Sequence, residues 1–139
     1  MNARKFYITT AIPYVNAAPH IGHALEFIVA DAIARHRKIS GYEVFLTTGA
    51  DENSLKNVQA AEKLGISTTQ LIDKNAQAFR EMAATVNLEF DSFARSSIKE
   101  EHWAGVEKIW ELCNKSGDIY KKSYRGLYCV GCEQFYTEK

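Results

Sequence analysis

The chain contains 139 residues, 46% of them hydrophobic, which is enough for one compact domain and excludes global disorder. Lys and Arg together number 17, as do Asp and Glu, so the net charge is zero and a general electrostatic surface for nucleic acid is excluded. No apolar run reaches the length of a membrane span, and the first residues lack the apolar segment of a secretory signal. Three cysteines, an odd number, argue against a disulfide framework, so we expect no membrane association and a reducing, cytoplasmic location.

The first two predicted elements are a strand and a long helix. Phe6 to Ile12 is apolar, β-branched and aromatic, and Pro13 ends it, which predicts a parallel-type strand buried on both faces. A helix is predicted from His20 to about Ser40, with Pro19 suited to its first position and Gly41 as its stop. Its apolar residues recur with the 3.6-residue period of an inward helix face, at Ile21, Leu25, Ile28, Val29, Ala32 and Ile33.

A second strand and two further helices follow. Tyr42 to Thr48 predicts the strand, and a helix is predicted from about Ser54 to Leu64, where Gly65 stops it. Ser67 with Gln70 predicts a capping box for the next helix. The inward stripe of that helix consists of Leu71, Ile72, Phe79, Met82, Ala83 and Val86.

The last predicted elements are a short strand, a helix and a hairpin. The strand is Phe90 to Ala94, Ser97 with Glu100 predicts another capping box, and the helix that follows ends at Gly117. Its apolar face consists of Val106, Ile109, Trp110 and Cys113. The remainder is rich in Tyr and Gly and predicts a hairpin that starts a new unit. Strands alternating with helices predict an α/β fold with a parallel sheet.

Two histidines three residues apart lie where the first strand leads into the first helix. Backbone N–H groups and the helix dipole favour an anion at such a place, typically a phosphate. Positions three apart share one helix face, so the imidazoles of His20 and His23 can point at one ligand. Gly22 between them lets a flat group approach the backbone. A pair of surface histidines on a first helical turn is the alternative.

A carboxylate follows the second strand, in the polar loop of residues 49–54. In an open parallel sheet, ligands bind beyond the carboxyl ends of the strands. Asp51 is therefore a candidate partner for a cation such as an amino-acid ammonium, and a loop-capping aspartate is the alternative. Tyr14 follows the first strand at the same edge, where it either forms part of an apolar pocket or covers the edge of the core.

Cys129 and Cys132 are separated by Val and Gly, the spacing of half a zinc knuckle. Zinc takes four ligands, and no second pair lies in this chain. Cys113 falls on an apolar helix face and is better explained as a small core residue. The pair is therefore either half of a metal site or a hairpin turn without metal.

Several motifs occur in an order that carries a resemblance. They are Ala11-Ile-Pro-Tyr-Val-Asn16, His20-Ile-Gly-His23, Gly41-Tyr-Glu-Val44, Gly49-Ala-Asp-Glu52 and Tyr128-Cys-Val-Gly-Cys-Glu-Gln-Phe-Tyr136. This order resembles the N-terminal part of the bacterial methionyl-tRNA synthetases, which are class I aminoacyl-tRNA synthetases. The likeness covers essentially the whole chain.

The resemblance implies a fold and two domains. Residues 1–117 would be the N-terminal half of a Rossmann-like, nucleotide-binding catalytic domain with a parallel sheet. Residues 118–139 would begin a connective insertion, in which Cys129 and Cys132 match the first half of a zinc knuckle.

The resemblance also implies an activity: ATP-dependent activation of methionine to methionyl-adenylate, followed by transfer to tRNA(Met). ATP would enter with Mg²⁺, and Zn²⁺ would be structural. His20 and His23 would be catalytic and bind the ATP phosphates, with Gly22 against the adenine. Asp51 would bind the methionine ammonium group. The methionine pocket would be bordered by Ala11, Ile12 and Tyr14.

Two departures from the family pattern stand out. Family members usually read Asp-Glu-His-Gly after the second strand, whereas this chain reads Asp51-Glu-Asn-Ser54, so Asn53 replaces a histidine. The Lys-Met-Ser-Lys-Ser loop that grips the ATP phosphates in the family is not present in these 139 residues. We therefore expect this chain by itself to have little or no adenylation activity.

Two other functions remain compatible with the residues alone. One is a different nucleotidyltransferase with the same His-x-Gly-His motif, although nothing after residue 100 supplies its second phosphate-gripping loop. The other is a non-catalytic module that binds nucleotide or tRNA.

Overall fold

The computed structural model describes residues 4–137, which form two compact units divided after Gly105. In chain order the first unit contains β1 (Arg4–Thr9), α1 (Ile21–Ile39), β2 (Tyr42–Ala50), α2 (Leu55–Leu64), α3 (Thr68–Thr85), β3 (Ser92–Arg95) and a π-helical turn (Lys99–Trp103). The second unit contains most of α4 (Ala104–Ser116) and an antiparallel hairpin of β4 (Leu127–Cys129) and β5 (Gln134–Tyr136).

The sheet of the first unit has the order β1-β2-β3, and both pairings are parallel. Thr9 of β1 lies opposite Thr47, and Ala50 at the end of β2 lies opposite Arg95. Parallel strands need crossover connections, and α1 supplies the first while α2 and α3 supply the second. The predicted α/β fold with a parallel sheet is confirmed.

The core lies between the sheet and the helices. Phe27 of α1 is fully buried, and its ring centroid lies 6.3 Å from that of Phe79 on α3 and 5.4 Å from that of Phe90. Two clusters of buried residues make up this core: Val15, Phe27, Ala50, Ile72, Ala76 and Phe79, and next to the strands Ala30, Ala34 and Leu46. This packing places the ends of β1 and β2 beside the start of α1.

The strand boundaries differ from those predicted. β1 ends at Thr9, so Ala11 and Ile12 lie in the following loop, and β2 continues to Ala50. The third strand covers 92–95 instead of 90–94. The apolar composition identified each strand, whereas pairing with the neighbouring strand decided where it ends.

The helix α1 begins one residue later than predicted. His20 is the N-cap and has an extended backbone, Ile21 is the first helical residue, and Pro19 therefore precedes the helix. Pro19 fits here because a residue before the helix need not supply a backbone N–H to it. At the other end Gly41 adopts a left-handed φ of 83°, as the predicted stop requires.

The predicted inward faces of β1 and α1 are wrong. The predicted apolar face of α1 is exposed, with Ile21 at 88% and Leu25 at 63%, and the buried residues of that helix are Phe27, Ala30, Asp31 and Ala34. Small alanines let α1 approach β2 closely, so the larger aliphatic residues lie on the other side. Within residues 4–137, β1 lies at one side of the three-stranded sheet, and its Tyr7 is 64% exposed, so the strand is not buried on both faces there.

The predictions for α2 and α3 are confirmed by their caps. Ser54 caps α2 through a hydrogen bond from the N–H of Lys56, and Gly65 ends it with a φ of 67°. Ser67 and Gln70 form the predicted capping box of α3. Four residues of the predicted stripe, Leu71, Ile72, Phe79 and Ala83, are buried, Met82 is half-buried, and Val86 is exposed beyond the helix end.

The predicted capping box of Ser97 and Glu100 is wrong. The chain forms a π-helical turn at Lys99–Trp103, and its N-cap Ile98 makes no side-chain cap hydrogen bond. The Ser97 hydroxyl donates instead to Glu52, a residue 45 positions away. A tertiary hydrogen bond to a buried carboxylate thus takes the side chain that the local pattern assigned to a cap.

The helix α4 carries an exposed apolar face in the described residues. Trp110 of the predicted apolar face is 62% exposed, and Cys113, expected as a core residue, is only half-buried. The helix ends at Ser116, and Gly117 adopts a φ of 82°, as predicted. No helix within residues 4–137 has the length and hydropathy that a membrane span needs.

Gly49 allows β2 and β3 to approach each other. A Cβ at this position would lie 2.3 Å from the carbonyl oxygen of Ala94 and 3.2 Å from the Ile12 side chain. Backbone cannot move aside as a flexible side chain can, so glycine is required here.

We therefore expect Gly49→Ala to lower the free energy of unfolding by about 1–3 kcal/mol, as overpacking does. Urea denaturation followed by circular dichroism measures it. The control is Gly105→Ala in α4, where a Cβ meets open space and helix propensity makes the change neutral or stabilising. A destabilisation no greater at Gly49 than at Gly105 would contradict the steric argument.

Candidate functional site

The two predicted site histidines lie stacked at the start of α1. Their ring centroids are 3.9 Å apart with an interplanar angle of 21°. The N–H of Gly22 donates to His20 Nδ1 at 3.1 Å, and the N–H of His20 donates to His23 Nδ1 at 3.2 Å. The histidines thus form a reciprocal capping box of their own helix, the role that Ser and Glu usually take.

These hydrogen bonds decide which nitrogen of each ring carries the proton. A nitrogen that accepts a hydrogen bond carries no proton, so each neutral ring is protonated at Nε2. Both Nδ1 atoms are occupied by backbone groups, and both Nε2–H groups remain as donors. The pair therefore offers two N–H donors at a helix N-terminus, where an anion is favoured.

Gly22 makes room for the His20 ring in the cap of α1. A Cβ at Gly22 would lie 2.9 Å from Cε1 and 3.0 Å from Nδ1 of His20. A larger residue would thus push the His20 ring out of its cap.

His23 is the more buried histidine of the pair. Its ring packs edge-on against Phe79, with the centroids 5.0 Å apart, and Phe79 is fully buried. Burial lowers the pKa of His23, the charge of His20 lowers it further, and the carboxylate of Glu26 raises it in part. The net direction is downward, which favours a neutral ring near neutral pH.

The loop after β1 is tied to α1 and to β2. The N–H of Ala11 donates to Glu26 Oε1 of α1 at 2.7 Å. The hydroxyls of Thr10 and Thr48 lie 2.6 Å apart and share a hydrogen bond. Ala11 and Ile12, which the resemblance assigned to a methionine pocket, thus have a fixed backbone position.

Asp51 is held against the same loop. Its N–H donates to the carbonyl of Pro13 at 2.9 Å, and Asp51 and Tyr14 form a parallel bridge. Asn57 Nδ2 donates to the Asp51 carbonyl at 3.1 Å, and the N–H of Asn53 donates to Asp51 Oδ1 at 3.2 Å. The structure thus brings together Tyr14 and Asp51, two of the predicted site residues.

Asn53, which replaces the usual family histidine, joins two loops. Its side-chain Nδ2 donates to the Ser96 carbonyl at 3.3 Å, while its backbone N–H reaches Asp51. The residue therefore contributes to the position of the Asp51 loop in this chain.

A cavity of about 260 Å³ opens at the carboxyl ends of the three strands. It is lined by Tyr7, Thr9, Thr10, Ile12, Thr47, Thr48, Ala50, Ala94, Ser96 and His102. Ile12 is the predicted pocket residue in this lining, and Asp51 directly follows Ala50. The cavity thus has the location that open parallel sheets use for ligands.

A buried ion pair lies beside Asp51. Glu52 is 4% exposed, and its Oε1 accepts from Arg95 Nε at 2.6 Å. Arg95 also donates to Asp73 Oδ1 of α3 at 2.6 Å. Burial lowers the pKa of Arg95, but its hydrogen bonds to Asp73 and Glu52 outweigh this and the net direction is upward.

Sequence reasoning missed the residues that hold the site loops. One is Asn75 of α3, whose Nδ2 donates to the Val15 carbonyl at 2.7 Å in the core. The sequence does contain a signal for Asn75, because this polar residue falls on the predicted apolar stripe of α3. A polar side chain buried there needs a hydrogen-bond partner. No local signal indicates Glu26 or Arg95, because their partners are distant in sequence.

The cysteine pair lies in the second unit, at the end of β4 and in the turn that follows. The N–H of Cys132 donates to Cys129 Sγ at 3.4 Å and lowers the pKa of that thiol. This favours a thiolate, the form that binds metal. Within residues 4–137, no group of three or more His, Cys, Asp or Glu side chains is placed to hold a metal ion.

A solved structure of low sequence identity shares the fold of this chain. The LeuRS chain of a ternary complex from Agrobacterium radiobacter K84 superposes with a TM-score of 0.78 at 21% identity, covering 86% of this chain and 16% of that chain. At this identity the likeness shows a shared fold and nothing more.

The chain belongs to the family described as tRNA synthetases class I (M), whose model matches residues 6–139. The methionine–tRNA ligase of Brucella suis biovar 1 is 45% identical over all 139 residues, which are 27% of its length. Methionyl-tRNA synthetase of Mycobacterium tuberculosis in complex with methionyl-adenylate superposes with a TM-score of 0.91 at 42% identity, covering 97% of this chain and 26% of that one. The chain thus spans about a quarter of the length of these relatives.

The lowered pKa of His23 predicts a pH dependence of stability. In the unfolded chain the pKa of His23 is near its ordinary value of 6.5, and in the folded state it is lower. The contribution of His23 is therefore present above pH 6.5 and is lost as the pH falls through the folded-state pKa. The urea concentration at the midpoint of unfolding should fall less between pH 7.5 and pH 5.5 in His23→Asn than in the unmodified protein. NMR should show His23 titrating below 6.5 from the Nε2–H tautomer, and titration above 6.5 would contradict this.

Proposed function

We propose that this chain is the N-terminal part of the catalytic domain of a methionine–tRNA ligase. The full-length protein would activate methionine with ATP to methionyl-adenylate and transfer the methionyl group to tRNA(Met). Family membership supports this proposal, and so does the methionyl-adenylate bound to the Mycobacterium tuberculosis relative. The family match favours this function over another nucleotidyltransferase or a non-catalytic module.

The observation that carries the proposal is the stacked histidine pair. In adenylation, the methionine carboxylate attacks the α-phosphorus of ATP, pyrophosphate leaves, and negative charge builds on the phosphoryl oxygens. His20 and His23 have both Nδ1 atoms engaged by the backbone, so both Nε2–H groups are available to those oxygens. Gly22 would allow the adenine to approach the helix. Donors that are already oriented stabilise such charge without reorganisation.

The methionine side of the reaction would use the loops after β1 and β2. The Asp51 carboxylate would bind the ammonium group, while Ala11, Ile12 and the Tyr14 ring would border the pocket. Ile12 lines the cavity at the strand ends, and Tyr14 and Asp51 form a bridge. These contacts support a single methionine subsite built from two loops.

The metals, the domain division and the cellular location belong to the same proposal. ATP would enter with Mg²⁺ bound to its phosphates. Cys129 and Cys132 would supply two of four zinc ligands, because their spacing and the N–H···S contact fit a metal knuckle. Residues 1–117 would be half of the catalytic domain and 118–139 the start of a connective insertion. The cytoplasm is the proposed location, because the three cysteines are free.

His20→Asn tests the phosphate role without removing the helix cap. Asn is among the best N-cap residues, so α1 should persist while the Nε2–H donor is lost. In the full-length protein we expect ATP–pyrophosphate exchange to fall about 100- to 1000-fold, with the methionine KM unchanged. The control is His36→Asn, an exposed histidine in the last turn of the same helix. Normal exchange in His20→Asn would remove the phosphate role.

Asp51→Asn tests the ammonium role. A charged hydrogen bond is lost while the size of the side chain is kept, so we expect the methionine KM to rise roughly 10- to 100-fold. The ATP KM should stay within about twofold of its original value, and Glu111→Gln on the exposed surface of α4 is the matched control. An equal rise for both substrates would indicate a folding defect and not a methionine contact.

A further inference from the structure

A buried glutamate directly follows the proposed ammonium ligand. The Glu52 side chain is completely buried in its ion pair with Arg95. Its Oε2 accepts from the backbone N–H of Ser97 at 3.2 Å and from the Ser97 hydroxyl. A buried carboxylate is costly unless it is paired and hydrogen-bonded, so this residue is held firmly in one position.

Arg95 joins Glu52 to a second carboxylate. Its Nε contacts Glu52 at the end of β2, and its second amino nitrogen contacts Asp73 on α3. The planar guanidinium donates in fixed directions, so it sets the spacing of both carboxylates. The end of β2, the end of β3 and the side of α3 are thus connected through one side chain.

The backbone around Asp51 is held from two sides. The Glu52 N–H donates to Ser96 Oγ at 2.8 Å, in the loop after β3. The Asp51 N–H donates to the Pro13 carbonyl at 2.9 Å, in the loop after β1. The two neighbouring peptide N–H groups therefore bind opposite loops, and the orientation of Asp51 depends on both.

We infer that Glu52 is a positioning residue: clamped by Arg95 and Ser97, it holds the backbone from which Asp51 presents its carboxylate to methionine. The inference rests on the proposed function, in which Asp51 binds the methionine ammonium group. A misplaced carboxylate weakens methionine binding but leaves the histidine pair on α1 in place. Loss of the ion pair should therefore weaken the binding of methionine and not that of ATP.

The test is Glu52→Gln in the full-length protein, with both substrates varied in ATP–pyrophosphate exchange. We expect the methionine KM to rise about tenfold, with the ATP KM and the kcat at saturating methionine within about twofold. The control is Asp31→Asn, which breaks a second carboxylate–arginine pair, within α1, between the buried Asp31 and the exposed Arg35, whose Nε lies 2.5 Å from Asp31 Oδ2. We expect Asp31→Asn to lower the stability of the protein and to leave the methionine KM unchanged. The comparison then separates a general loss of stability from misplacement of Asp51.

Arg95→Lys provides a milder second variant. Lys keeps the positive charge beside Glu52 but cannot bridge two carboxylates as the guanidinium does. We expect a smaller rise of the methionine KM in Arg95→Lys than in Glu52→Gln. Because both variants disturb the same contact, the methionine KM of the double variant should be less than twofold higher than that of Glu52→Gln alone. An unchanged methionine KM in Arg95→Lys, or fully additive effects, overturns the inference.

The result for Asp51→Asn separates this inference from the proposed function. A raised methionine KM in Asp51→Asn with an unchanged one in Glu52→Gln overturns the positioning role and leaves the function intact. An unchanged methionine KM in both variants overturns the ammonium role of Asp51 and the inference with it. Equal changes of the methionine and ATP KM in Glu52→Gln also overturn the positioning role, because they indicate a general structural effect.

Discussion

Two neighbouring peptide N–H groups at the end of β2 bind loops on opposite sides, and the geometry of the candidate site depends on this. Asp51 donates to the loop after β1 and Glu52 to the loop after β3. A parallel sheet brings all its strand ends to one edge, but it leaves the loops there free to vary. In this chain, hydrogen bonds and one buried ion pair remove that freedom. A carboxylate presented from such a backbone is oriented before a ligand arrives, which reduces the cost of binding.

The histidine pair combines a structural role and a proposed chemical role in the same rings. Nδ1 of His20 and of His23 completes the cap of α1, so neither ring can turn without leaving backbone N–H groups unsatisfied. The same contacts direct both Nε2–H groups away from the cap. Ring stacking and packing of His23 on Phe79 restrict the rings further. A small cap residue such as serine would stabilise the helix but would offer no second donor.

Local chemistry explains which elements were predicted correctly. The helices α2 and α3 have caps within three residues of their ends, at Ser54 and Ser67, and their stop signals and stripes are equally local. The apolar face of α1 was assigned wrongly because side-chain size and period alone do not say which side a sheet covers. Phe27 and small alanines face β2, and larger residues such as Leu25 remain exposed. Ser97 was assigned to a cap because the pattern holds no information about Glu52.

The sequence by itself determined the family and the identity of the candidate residues, because the histidine, aspartate and cysteine motifs and their order are readable without coordinates. It also determined the α/β class, since strand and helix periods and glycine stops are local properties. Only the tertiary structure decided which nitrogen of each histidine is free and that Tyr14 bridges Asp51. It alone placed Arg95 on Glu52. The bridge between Tyr14 and Asp51 and the pair of Arg95 with Glu52 join residues 37 and 43 positions apart, and no local pattern encodes a contact whose partner is chosen by the packing of the sheet. The histidine contacts are local, but the choice of Nδ1 as acceptor depends on the orientation of each ring, which the sequence does not state.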